Sequence, residues 1–158
     1  MKLFSIFLFF CFSALPAQAQ KFDLDALAKA KSAALVVKAE STVSCGDGSD
    51  DTCLRNDTDV AAQVRKIVED SDLWQHLTQT EATKADAIIQ IKVRNAKIAS
   101  GSISIDVKDA DTNKSLFWEY RDIVLLENDV VRMISHFLKA YEDAKVRPVK
   151  RPQPTSVQ

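Results

Sequence analysis

Two segments in the middle of the chain alternate between apolar and polar residues. In 87–94 and 102–108, Ala, Ile or Val occupies every second position, with mainly polar residues between them. This period of two predicts strands that bury one face. A third alternating segment, 116–121, follows the turn-forming residues of 109–114. The three strands are therefore predicted to form an antiparallel meander.

Two further segments place apolar residues at helical spacing. In 60–70, Val and Ile residues fall on one stripe, and the Asn and Asp residues just before it are suitable N-caps. In 128–145, apolar residues recur every three or four positions as far as Tyr141, and Asn128 or Asp129 caps the start. A helix is predicted over each segment.

The first half of the chain shows shorter patterns. Residues 21–31 predict a short amphipathic helix or a loose arm, and the β-branched run in 33–39 predicts a buried strand. The polar residues 41–59 predict a loop that contains two cysteines. Residues 73–77 fit either a short strand or a turn.

Taken in order, these elements predict an α+β fold. The expected architecture is a two-layer sandwich, with a largely antiparallel sheet, a three-strand meander and two helices packed on one face. Residues 20–145 are expected to form this single domain. Residues 146–158 are basic and contain three prolines, so they predict a disordered tail.

The N-terminus carries the pattern of an export signal. Lys2 precedes an apolar run over 3–15, and Ala17 and Ala19 follow it as small residues. This pattern predicts a signal peptide over 1–19, because the run is too short to span a membrane. No later run is long and apolar enough to span one. The mature protein is therefore expected to be periplasmic or secreted.

Export changes how the cysteines are interpreted. Cys45 and Cys53 are the pair that remains after signal removal, and an even count outside the reducing cytosol predicts a disulfide. Their spacing differs from the C-x-x-C of redox-active pairs. The residues before Cys11 are too bulky for a lipobox, so a lipid anchor is not expected.

Composition excludes several classes of function. The formal net charge is −1, which argues against a nucleic-acid-binding protein. The chain has three glycines and lacks nucleophile and phosphate-loop motifs, so neither catalysis nor a cofactor is expected. His76 and His136 lack zinc-ligand spacing and are predicted to be partly exposed structural residues.

The acidic segment between the cysteines is a candidate metal site. Asp47, Asp50 and Asp51 lie close together beside glycines, and calcium binds through several oxygen ligands. The EF-hand pattern is absent, however. A solvated surface loop held by the disulfide is the preferred interpretation, with calcium binding kept as an alternative.

The third strand of the meander is a candidate binding surface. Trp118 shares a face with Leu116 and Tyr120, and because that face carries no charge, Trp118 is expected to pack in the core. Phe117, Glu119 and Arg121 then share the other face. An aromatic residue beside charges is a hint of a partner site, so these three residues are the candidate partner-binding group.

Residues 84–141 resemble small exported bacterial α/β modules. An Ala85-Asp86 dipeptide enters a strand, and residues 107–118 approximate the phrase V-x-D-A-x-T-x-x-x-L-W before an amphipathic helix. This is similar to the N-terminal domain of the Tol-system propeller protein, the curli-export lipoprotein and related uncharacterised families. Here Phe117 is inserted before the Trp, and Asn113 replaces the usual Gly.

The resemblance implies a non-catalytic envelope module that binds protein partners or assembles with copies of itself, and it transfers no catalytic residue. A bacterial envelope interaction module, binding through a strand edge or the Phe117 face, is therefore the leading hypothesis. The alternatives are a secreted inhibitor or effector that binds a foreign enzyme, and a calcium-stabilised binding module. The basic tail is interpreted as a solubilising terminus, with contact to an anionic surface as the alternative.

Overall fold

The computed structural model describes residues 23–45, 52–96 and 101–146. The predicted signal peptide, most of the predicted basic tail and the candidate calcium ligands Asp47, Asp50 and Asp51 lie outside these ranges. The elements in chain order are α1 (Leu24–Lys29), β1 (Ser32–Ser44), β2 (Thr52–Asn56), α2 (Thr58–Glu69), α3 (Leu73–His76), β3 (Thr78–Gln79), β4 (Ala87–Arg94), β5 (Ser102–Asp109), β6 (Ser115–Asp122) and α4 (Leu126–Val146).

The strands form one mixed sheet in the order β2-β1-β4-β5-β6, and the short β3 pairs with the start of β1. The predicted meander β4-β5-β6 is confirmed and antiparallel throughout. β1 lies parallel to β4, and α2 belongs to the crossover between them. The β1–β2 pair is antiparallel. The α+β fold class is confirmed.

The core lies between the sheet and the helices. β4 and β5 bury every second residue, as the alternation predicted. The helices supply the opposing apolar stripes, among them Leu27 of α1, Val64 of α2 and Phe137 of α4, each fully buried. Tyr141 is also buried, and its hydroxyl donates a hydrogen bond of 2.6 Å to the carbonyl oxygen of Ala30. This bond ties the end of α4 to the end of α1.

The predicted loop over 41–59 is partly wrong. β1 continues to Ser44, and β2 pairs with its last five residues, from Glu40↔Asn56 to Ser44↔Thr52. All five residues of β2 are exposed, so no apolar alternation marks it in the sequence. The predicted disulfide between Cys45 and Cys53 is present, with a Cα–Cα distance of 5.8 Å. It closes the hairpin that these two strands form.

The segment 73–77 also differs from the prediction of a strand or a turn. It forms the four-residue helix α3, whose Leu73 is fully buried, and β3 follows it. The cause lies in the preceding turn, where Ser71 Oγ donates to the Val68 carbonyl oxygen and accepts from Leu73 N–H. These bonds turn the chain so that Leu73 points into the core.

One carboxylate fastens the start of β1 beside the start of β4. Asp86 Oδ2 accepts hydrogen bonds from Lys31 N–H at 2.8 Å and from Ser32 N–H and Oγ–H at 2.9 Å. The Lys31 N–H and the Ser32 hydroxyl are the main reasons that the pKa of Asp86 is lowered. The Ala85-Asp86 dipeptide singled out in the sequence therefore has a structural role here.

Candidate functional site

The described helices all pack on one face of the sheet, which leaves the other face uncovered by the described part of the chain. Strand β6 is one edge of that sheet. Residues 118–125, which comprise most of β6 and the residues that lead into α4, are called the β6 edge below. This segment carries the candidate site, because exposed aromatic and aliphatic side chains concentrate in it.

A β-bulge decides which side chains β6 exposes. Val107 pairs with Phe117 and Lys108 pairs with Ser115, so Leu116 is the extra residue. Leu116 is fully buried, and Phe117, opposite the buried Val107, also lies on the helix-covered face. From Phe117 onward, each residue of β6 therefore lies on the face of the sheet opposite to the one that unbroken alternation predicts.

The prediction that Trp118 packs in the core is consequently wrong. Trp118 is 48% exposed and Tyr120 is 52% exposed, both on the uncovered face. Their rings stack at 6.5 Å between centroids with an interplanar angle of 18°. The Tyr120 hydroxyl lies 3.3 Å from Asp122 Oδ1. The result is a small, rigid aromatic platform at the edge of the sheet.

The predicted partner-binding group lies instead beneath α4. Phe117 is half-buried, and its ring meets that of Phe137 edge-on at 5.5 Å. Glu119 Oε1 accepts from Arg121 Nε at 2.7 Å and lies 3.1 Å from Nδ1 of His136. Partner binding by Phe117, Glu119 and Arg121 stays a prediction, but the exposed aromatic face on which it was based belongs to Trp118 and Tyr120.

The backbone of β6 offers hydrogen-bonding groups on its outer side. Ile123 N–H donates to the Gly101 carbonyl at 2.8 Å, which marks a hydrogen-bonded pair with the start of β5. Because bonding alternates along an antiparallel pair, Arg121 and Glu119 bond to β5 as well. The N–H and C=O groups of Trp118 and Tyr120 therefore point away from β5. In the described part of the chain, no other strand pairs with that edge.

The apolar surface continues beyond the end of the strand. Val124 is 84% exposed and Leu125 is 61% exposed. Their backbone N–H groups both donate to Asp129 Oδ2, at 2.9 and 3.1 Å. Asp129 is itself buried, so it fixes this turn at the start of α4. Two large aliphatic side chains are thus held in solvent by an ordered backbone.

Two other features of the described residues are a groove and the contacts of the two histidines. A groove of about 640 Å³ between α2 and α4 has Ile67, Ile134 and Leu138 in its lining, with charged residues around them. His76 pairs with Glu142 at 3.3 Å, and His136 pairs with Glu119. Within the ranges that the structure describes, no group of three His, Cys, Asp or Glu residues is arranged to hold a metal ion.

Sequence reasoning missed Trp118, Tyr120, Val124 and Leu125 as surface residues. The available signal was the doublet Leu116-Phe117, because two large apolar residues in succession within an alternating strand are compatible with a bulge. Val124 and Leu125 lie between two predicted elements, where periodicity assigns no face.

Comparison with known proteins finds matches among solved structures. Neither the protein-family models nor the curated proteins match the chain. A crystal structure of a Xanthomonas campestris protein of family DUF330 is 12% identical and covers 73% of this chain and 80% of its own, with a TM-score of 0.29. The resemblance to Tol-system and curli-export modules is not confirmed.

The described residues include no helix long and apolar enough to cross a membrane.

Proposed function

We propose that this protein is a non-catalytic interaction module of the bacterial cell envelope, which binds a protein partner through the β6 edge. One observation carries the proposal. Seven large apolar or aromatic side chains are exposed among the described residues, and four of them lie in 118–125. Scattered apolar residues on a surface are ordinary, whereas a contiguous group marks an interaction site.

The chemistry of the β6 edge favours an extended polypeptide as the ligand. Trp118 and Tyr120 present outward N–H and C=O groups, which an added strand can satisfy, and the same residues present stacked rings to its side chains. Main-chain hydrogen bonds give affinity in this mode, and side-chain contacts give specificity. Trp and Tyr are the residue types that most often dominate binding energy at protein interfaces.

The perturbed carboxyl groups support a role without catalysis. Strong pKa shifts often mark active sites. Here the pKa of Asp86 is lowered mainly by hydrogen bonds from Lys31 and Ser32, and the pKa of Asp109 is lowered mainly by hydrogen bonds from Thr112. Both carboxylates fasten elements of the fold, so their shifts have a structural cause.

The disulfide supports export of the protein. Disulfides such as Cys45–Cys53 persist in oxidising compartments and are rare in the cytosol. Together with the predicted signal peptide over 1–19, the disulfide favours the periplasm or the outside of the cell as the place of action. The partner is accordingly sought among envelope proteins.

Site-directed photo-crosslinking in the bacterium that encodes the protein tests the proposal. A photoreactive phenylalanine replaces Trp118 or Tyr120 in the full-length chain, and a matched control carries it at Arg65, which is exposed on α2. We expect protein adducts at both edge positions and none at the control. Absence of adducts at the edge, or equal yields at all three positions, contradicts the proposed function.

A further inference from the structure

We infer that the partner of the β6 edge is a second copy of this chain, with two β6 strands pairing antiparallel about a twofold axis at Tyr120. The inference rests on the proposed function, since it names the occupant of the same surface. A twofold axis makes one surface its own complement. Each edge must therefore satisfy the other in charge, hydrogen bonding and shape.

Charge disfavours the two registers on either side of Tyr120 and favours the one centred on it. An axis at Glu119 places the two Glu119 side chains directly opposite, and an axis at Arg121 does the same with the two arginines. Like charges in opposed positions destabilise a strand pair. An axis at Tyr120 instead places Glu119 opposite the partner's Arg121, and Arg121 opposite the partner's Glu119.

The Glu119–Arg121 pair is already organised for such a contact. Its two side chains are held together at 2.7 Å and are only 17% and 24% exposed. Because Trp118 and Tyr120 carry the outward backbone groups, Glu119 occupies a non-hydrogen-bonded position, where opposed Cα atoms lie about 4.5 Å apart. Two such pairs would join into a four-charge network on the helix-covered face of the joined sheet.

The uncovered face is complementary in the same register. Tyr120 lies opposite the partner's Tyr120, and Trp118 lies opposite the partner's Asp122. An indole N–H is a donor only, and an ionised carboxylate is an acceptor only, so this second pair can form a hydrogen bond. The two aromatic platforms then become one cluster of four rings across the junction.

Trp118 and Tyr120 are exposed, and α1 lies toward the other end of β6. Asp23 and Asp25, at the start of α1, line one depression with Asp109 and Asp111. That depression is at the end of the sheet where β5 turns into β6, so α1 lies near Ser115. Residues 118–122 are at the other end of the strand.

A cysteine at the axis tests the register in the otherwise intact chain. With Cys11 replaced by Ser, Tyr120→Cys supplies the single thiol outside the native disulfide. The two Cα atoms at position 120 would lie about 5.5 Å apart, within the range that a disulfide requires. Trp118→Cys is the matched control, because the two Cα atoms at position 118 would lie roughly 14 Å apart. We expect oxidation to link the first variant and leave the second as monomer.

Sedimentation of the purified protein provides a second readout that needs no thiol. The wild-type protein is expected to dimerise. Tyr120→Lys, which places two ammonium groups opposite each other, should weaken dimerisation by at least about tenfold. Thr42→Lys adds the same charge at an exposed position of β1 and should leave dimerisation unchanged. A monomeric wild-type protein overturns the inference, as does a dimer that links equally well at 118 or is indifferent to Tyr120→Lys.

These outcomes separate the inference from the proposed function. Photo-crosslinks from 118 and 120 to a different protein, combined with a monomer in sedimentation, retain the proposed function and reject the second copy. A crosslinked species of twice the chain mass supports both. A lack of any edge crosslink rejects the proposed function itself.

Discussion

Replacing Asp86 tests whether one carboxylate fastens β1 to the meander. Asp86→Ala removes the acceptor of three hydrogen bonds, two from backbone N–H groups and one from the Ser32 hydroxyl. Hydrogen bonds to a charged group contribute about 1.5–3 kcal/mol each when buried. Asp86 is exposed, so water can replace much of what is lost. We therefore expect a total loss of about 2 kcal/mol in the free energy of unfolding.

The effect of Asp86→Ala should depend on pH in a defined direction. The pKa of Asp86 is lowered in the folded protein from its ordinary value of 3.8. A lowered pKa means that the carboxylate stabilises the fold fully above the unfolded pKa, and that this contribution is lost as the pH falls through the lower folded pKa. The difference between wild type and variant should be constant near neutrality and shrink below about pH 4.

Urea unfolding, followed by circular dichroism at neutral and acidic pH, measures this difference. Asp111→Ala is the control, because it removes a carboxylate that is exposed on the turn before β6. Asp86→Asn should lose less than Asp86→Ala, because an amide oxygen still accepts a hydrogen bond. The reasoning is refuted if Asp86→Ala is as stable as the control at neutral pH, or if its deficit persists undiminished in acid.

Three further substitutions test other contacts by urea unfolding. Tyr141→Phe leaves the buried carbonyl of Ala30 without its donor and should cost about 1–2 kcal/mol, so an unchanged midpoint contradicts the role of that bond. Gly101→Ala places a Cβ 2.5 Å from the Asn95 carbonyl oxygen and should destabilise the β4–β5 hairpin. An unchanged midpoint would contradict this, because it would mean that the backbone moves aside without cost. Lys92 lies opposite Lys38 of β1, so Lys92→Glu replaces a pair of like charges with a pair of opposite charges. We expect the free energy of unfolding to rise by about 0.5 kcal/mol, and a loss of stability would refute this.

The meander was predictable because burial on one face leaves a periodic trace in the sequence. β4 and β5 expose one side and bury the other, so apolar and polar residues alternate in them. β2 has no such trace, since all five of its residues are exposed and its pairing depends on backbone bonds and the disulfide. The parallel pairing of β1 with β4 joins residues distant in the chain, and no local pattern encodes it.

The exposed residues of the candidate site were also beyond what a local sequence pattern can predict. The alternation of Leu116, Trp118 and Tyr120 correctly predicts a strand, but the face of each residue depends on a one-residue bulge. Periodicity counts positions and does not detect an inserted residue. Because of this one extra residue, Trp118 is exposed and does not pack in the core as predicted. The charged pair of Glu119 and Arg121 lies on the other face, toward α4.

The parallel β1–β4 pair has a consequence for the order of folding. Its first contact joins Ala33 to Ala87, whereas β4, β5, β6 and α4 follow one another directly along the chain. Closing long loops costs entropy before contacts compensate for it, so local pairings form first. We expect the meander and α4 to form the nucleus, with β1 docking late. Residues 32–39 of β1 lie beyond the hairpin with β2 and must then wait for β4 until more than half of the protein has followed them, and in that interval they are most open to misassembly.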